Sequence, residues 1–181
     1  MKKILLLAHL LLMCNMVGAQ NIDGFVLGES RLETICNIPR GFKYVTTDNP
    51  NILQYEKISN AFDGFRGTTY KLLFKDNKLY NFTKHLSDVY TDDMHRTPEQ
   101  WFADIYTVYM EKFGDPTSQY EGTSFWYCYW TLPNSQLSFK FSWTIRQKEE
   151  QDIGSLFGPL KTRTYYYLNI TIDWKPKGST H

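Results

Sequence analysis

Between Ser124 and Arg146 apolar and polar residues alternate regularly enough to read as a β-hairpin. Successive side chains of a strand point to opposite faces. Leu137, Phe139, Phe141, Trp143 and Ile145 therefore share one face, and Gln136, Ser138, Lys140, Ser142, Thr144 and Arg146 share the other. Such a strand is buried on one side and wet on the other. The strand before it is apolar on both faces. Trp126, Cys128, Trp130 and Leu132 form one set, and Phe125, Tyr127, Tyr129 and Thr131 the other. Turn parity decides which set is buried. Pro133-Asn134 marks the reversal. Pro133 cannot take the positive φ of a tight primed turn, which favours a four-residue loop around a type I turn. Any even loop sets Trp130 against Leu137, Cys128 against Phe139 and Trp126 against Phe141; an odd loop reverses the faces. The even register puts the indoles in the core and leaves Phe125, Tyr127 and Tyr129 outside. Each large apolar side chain buried gains roughly 1.5–3 kcal/mol before entropy is counted. The hairpin is thus the predicted centre of the core. The outward rings are either covered by another element or form an exposed aromatic platform.

Other elements follow from the same patterns. Ser30 with Glu33 is a capping box, and Leu32, Ile35 and Cys36 predict one apolar face of a short helix ended by Pro39 and Gly41. Phe42 to Val45 and Ile52 to Ile58 read as strands around the turn residues Asp48-Asn49-Pro50-Asn51. Thr68 to Lys75 and Lys78 to His85 read as a hairpin turned by Asp76-Asn77. An even loop there groups Tyr70, Leu72, Phe74 and Leu79 on one face. Leu73, Tyr80 and Phe82 fall on the other, among lysines whose stems cover apolar area. Ser87 to Arg96 is a polar connector. Thr97, Pro98 and Gln100 then open a long helix. Phe102, Ile105, Tyr106, Tyr109 and Phe113 recur at helical spacing until Gly114 and Asp115-Pro116 end it. Residues 147–162 form a long link, polar at first and then IGSLFGPLKT, of a length that tends to be functional or disordered. Arg163 to Trp174 is the last strand. It sends Thr164, Tyr166, Leu168, Ile170, Ile172 and Trp174 one way and Tyr165, Tyr167, Asn169, Thr171 and Asp173 the other.

The first residues change the picture of where the chain works. Lys2 and Lys3, an apolar run and Val17-Gly18-Ala19 read as a signal peptide spanning 1–19, and the protein is expected to be secreted or periplasmic. The run is too short for a comfortable membrane span. Lipid anchoring at Cys14 is the lesser reading, because Met13 is a poor residue before that cut. Removing 19 of 181 residues leaves 162, enough for one domain over 20–181. Losing two lysines leaves 18 basic against 19 acidic residues. No basic patch points to nucleic acid. Cys36 and Cys128 remain. They either pair, as an oxidising compartment allows, or stay as two separate buried thiols.

The phrase EKFGDP after an aromatic-rich helix, with GES-RLETICN, RGFKYV and DGFRGTTYKLLFKDNKLY, resembles small secreted bacterial proteins of unknown function. Their duplicated α-β layout is similar to that of the β-lactamase inhibitory protein and the BamE lipoprotein family. The resemblance covers most of the mature chain and implies an α+β class: a mainly antiparallel sheet, helices packed on one face, two similar α-β halves. It also implies partner binding by an open sheet face or loops.

Chemistry is thin by comparison. G-x-S-x-G, H-E-x-x-H and a glycine-rich phosphate loop are missing. Asp88, Asp92, Asp93 and His95 could hold a divalent cation, or simply be a solvated acidic run favouring the next helix N-terminus. No cofactor is implied. The expectation is a non-catalytic binding protein. A protein partner would meet the aromatic sheet face (Phe125, Tyr127, Tyr129, Tyr165, Tyr167) and the 147–162 link with Phe157. The alternative is a carbohydrate module on the same face, with Asn169 and Asp173 accepting hydroxyl hydrogen bonds.

Overall fold

A computed structural model describes residues 21–58, 67–91, 97–151 and 160–179. The expected signal peptide, with Cys14, and most of the expected link, with Phe157, lie outside the described residues. The chain opens with a small hairpin, β1 (Asn21–Ile22) and β2 (Phe25–Val26). Asp23 and Gly24 turn it with φ of 54° and 88°, the positive values that a primed turn needs. Helix α1 (Arg31–Cys36) follows, then β3 (Lys43–Val45), β4 (Ile52–Ile58), β5 (Gly67–Lys75) and β6 (Lys78–Thr91). Helix α2 (Pro98–Phe113) leads to β7 (Ser118–Gly122), β8 (Phe125–Thr131), β9 (Ser135–Gln151) and β10 (Leu160–Pro176). Eight strands form one antiparallel sheet in the order β3-β4-β5-β6-β10-β9-β8-β7. Two four-strand meanders meet at the β6–β10 seam.

This overturns the expected α+β class with helices packed on one face and two similar α-β halves. Strand occupies 61% of the described residues and helix 16%, so the protein is mostly β. The two helices are unequal, six residues against sixteen. The excess of strand comes from segments whose composition hid it. β6 runs to Thr91, into the first half of the expected connector, because Leu86, Asp88 and Tyr90 all point inward and are buried. β9 and β10 reach Gln151 and Leu160, well into the supposed link.

The aromatic hairpin has the even register. Trp130 pairs with Leu137, Cys128 with Phe139 and Trp126 with Phe141, leaving Leu132 to Ser135 beyond the Thr131–Gln136 pair. Trp130 is 1% exposed, and its indole N–H donates to the Gly114 carbonyl at 2.9 Å. Helix α2 supplies the rings that meet these strands. Phe102 stacks on Trp126 at 4.7 Å between centroids, and Tyr109 lies 5.6 Å from Phe139. Both capping-box bonds of Thr97 and Gln100 are present and set where that helix starts. Over the other meander the cover is the β1–β2 hairpin. Phe25, fully buried, stacks on Phe82 at 4.9 Å, and Lys84 Nζ sits 2.6 Å from Asp23 Oδ2.

Two further expectations fail. Phe82 is not on the outer face: it is wholly buried on the inner one. The β5–β6 ladder pairs Phe74 with Leu79 but Leu73 with Asn81, so Tyr80 is an extra residue in a bulge and the parity flips beyond it. Helix α1 buries Thr34, whereas Leu32, Ile35 and Cys36 are exposed. The Thr34 hydroxyl donates to the Ser30 carbonyl at 2.9 Å, which removes the cost of burying it. Both thiols are free, Cys36 exposed and Cys128 buried.

Candidate functional site

The described elements outside the sheet all make their contacts on its inner face. Phe25 meets Tyr70 and Phe82, Arg31 of α1 lies over Phe74, and the α2 rings meet Trp126, Trp130, Phe139 and Phe141. The outer face is left without a covering element among the described residues. Ladder registers define its rows. One runs Thr69, His85, Thr171, Lys140, Tyr127, Tyr120; the next runs Gly67, Ser87, Asn169, Ser142, Phe125, Gly122. It is polar across the seam and aromatic at the β7–β8 edge.

The predicted site residues fall into two groups on this face. Phe125, Tyr127 and Tyr129 line β8, and β7 adds Tyr120, which is 62% exposed. Tyr120 and Tyr127 are cross-strand partners with ring centroids 6.2 Å apart and planes at 37°. Phe125 folds its ring over Gly122, where a Cβ would stand 2.1 Å from the ring. That glycine makes room for the ring. Tyr165 and Tyr167 lie on β10, two strands away. Asn169 is the residue level with Phe125, and Thr171 the one level with Tyr127. Tyr167 is four residues beyond Thr171, roughly 13 Å along the strand. Both rings of this second group already have partners on β9. Arg146 Cζ lies 5.0 Å from the Tyr167 ring and Lys148 Nζ 5.1 Å from that of Tyr165. The Tyr165 hydroxyl donates to Glu150, a bond that holds its pKa above the usual phenol value. The structure thus brings together Phe125, Tyr127 and Tyr129 and sets Tyr165 and Tyr167 apart.

Sequence reasoning missed Tyr120, because Ser118-Gln119-Tyr120-Glu121-Gly122 has no apolar alternation to reveal an edge strand. The inner side of the same edge holds a cavity of about 310 Å³ between α2 and β7–β8, reached by Phe102, Tyr106, Trp126 and Cys128. Burial pushes the Cys128 thiol up to about 11, far from a reactive thiolate. Of the proposed cation ligands, Asp88 is a buried residue of β6 whose carboxylate accepts the Val89 N–H at 2.7 Å, while Asp92, Asp93 and His95 lie outside the described residues. No helix among the described residues is long and apolar enough to cross a membrane.

Comparison with protein-family models, with curated proteins and with solved structures finds no match to this chain.

Proposed function

We propose that the chain is a non-catalytic binding protein, exported by its signal sequence, that engages a protein partner through the β7–β8 end of its outer sheet face. One observation carries this reading. Four aromatic side chains, Tyr120, Phe125, Tyr127 and Tyr129, stand on a face that no other described element covers. Large aromatic side chains at the centre of a patch with a polar rim carry most of the energy in protein interfaces. The rim here is Ser118, Ser138, Lys140 and Ser142, their direct cross-strand neighbours. A saccharide stacking on these same rings has less support, since the Tyr120 and Tyr127 planes are tilted at 37° rather than coplanar.

The test is a Tyr127→Ala, Tyr129→Ala double variant. It should melt close to the wild type, because neither ring is in the core. A protein captured from the culture supernatant or envelope fraction is identified, purified and titrated against both forms. Binding to the variant should be at least tenfold weaker. Equal affinity, or a variant that unfolds, would remove the patch from consideration.

A further inference from the structure

The bulge in the first meander does more than flip a face. In an unbroken strand Tyr80 would point out and Asn81 in. The extra residue turns both outward, next to each other and opposite Leu73. Bulges are used in this way to re-aim side chains beside binding sites. The two residues open onto a depression of about 420 Å³ on the outer face, walled also by Lys71, Leu73, Thr83 and Asp173. That volume lies within the range of small-molecule sites, roughly 300–1,000 Å³.

The polar groups there are already fixed in place. Asp173 Oδ1 accepts from Asn81 Nδ2 at 2.8 Å and lies 2.9 Å from Thr83 Oγ1. Thr83 Oγ1 is also 3.1 Å from Asn81 Oδ1. A hydroxyl has one proton, so it cannot serve both acceptors at once. One acceptor of the pair is always left for another donor. A carboxylate offers about four acceptor sites, and these bonds fill at most two. The cluster is therefore rigid and short of donors, which suits a ligand rich in hydroxyl groups. Around it the charge is cationic. Lys71 and Lys175 line the depression, Asp173 is the one carboxylate among its described lining residues, and Lys75 Nζ lies 5.6 Å from the Tyr80 ring.

We propose that this depression binds an acidic saccharide: Asp173 and Asn81 accept its hydroxyls, the lysines take its carboxylate, and Tyr80 packs on its apolar ring edge. The site straddles the β6–β10 seam, away from the β7–β8 aromatic patch, and stands or falls independently of it.

Calorimetric titration of the full mature chain with hexuronic-acid trisaccharides and the matching neutral trisaccharides tests it. The acidic sugar should bind. Asp173→Asn should weaken it at least tenfold, and Lys71→Met should erase the preference over the neutral sugar. Tyr127→Ala should leave it unchanged. Deletion of Tyr80 restores a regular ladder with Leu79 and Phe82 still on the inner face and Asn81 still on the outer one, so it removes the packing ring while keeping the core; it should weaken binding at least tenfold, and it carries the test if Asp173→Asn fails to fold. Absence of binding by the acidic sugar, equal binding of the neutral one, or undiminished binding to the Tyr80 deletion would overturn the proposal.

Discussion

The hairpins β5–β6 and β8–β9 belong to different meanders of one sheet, and they handle their turns in opposite ways. In β5–β6 the turn is tight. Lys75 pairs with Lys78, and Asp76 and Asn77 both adopt positive φ, 50° and 60°. The ladder then absorbs one extra residue at Tyr80. In β8–β9 a proline forbids the tight turn, the loop is wider, and the ladder runs unbroken from Thr131 to Phe125. Turn parity predicts the faces of the unbroken hairpin and mispredicts Phe82 in the other. Alternation alone cannot report a bulge, because either phase still gives a plausible mixture of apolar and polar residues. What separates the two hairpins is therefore a single inserted residue, and the donor-poor depression lies where it was inserted.

The largest effects are expected in the core. Phe82 and Phe139 are both fully buried, one in each hairpin. Phe82→Ala and Phe139→Ala should each lower the unfolding free energy by about 3–5 kcal/mol in chemical denaturation. An outward Phe82 would instead cost under about 1 kcal/mol, as surface changes do. The turns offer a smaller contrast. Asn77→Gly relieves a left-handed residue and should stabilise by up to ~1 kcal/mol. Asn134→Gly should not, since positive φ is absent at Asn134; a gain there in thermal melts would mean that the wider loop is strained after all. The smallest effect is on pH. His85, on the outer face of β6 and 3.2 Å from Thr171 Oγ1, is the sole histidine among the described residues. Burial lowers its pKa, so the folded state favours the neutral ring. The unfolded chain takes up the proton first, at about pH 6.5. Stability is complete above that value and falls as pH drops through it toward the lowered folded-state pKa. His85→Gln should flatten that part of the stability profile, and an unchanged profile would assign the pH dependence elsewhere.

Much of the fold is legible in the residues, for identifiable reasons. Helix α2 has its cap, its stripe and its stop signal within Thr97 to Pro116. The tryptophan side of the aromatic hairpin follows from alternation and turn parity. The same logic fails where a strand lacks a buried face. β7 lies at the sheet edge, and the far ends of β9 and β10 pass beyond their neighbours, so Gln147-Lys148-Glu149-Glu150 reads as loop. In α1 the apolar residues mislead because a six-residue helix anchored by its capping box buries Thr34 instead. Of the aromatic patch, Phe125, Tyr127 and Tyr129 are visible as an outward set, whereas Tyr120 is not. Asp173 stands out as an outward carboxylate, but its clasp by Asn81 and Thr83 depends on pairings 90 and more residues apart.

The ribbon made by β9 and β10 has a dynamic consequence. The β8 ladder stops at the Phe125–Ser142 pair, and one more bond joins Trp143 N–H to the Ser124 carbonyl at 3.1 Å. Backbone groups alternate in direction along a strand, so Ile145, Gln147 and Glu149 aim their amides toward the same side, where no described strand receives them. Their charged neighbours guard this margin against stray pairing. No described element packs on either flank, and the described contacts that hold the tip are β9–β10 hydrogen bonds and surface contacts such as Tyr165–Glu150 and Arg163–Glu150. Amide protons of the ribbon should therefore trade with deuterated solvent long before those of Phe139 or Ile170, making the tip the place where the molecule first comes undone.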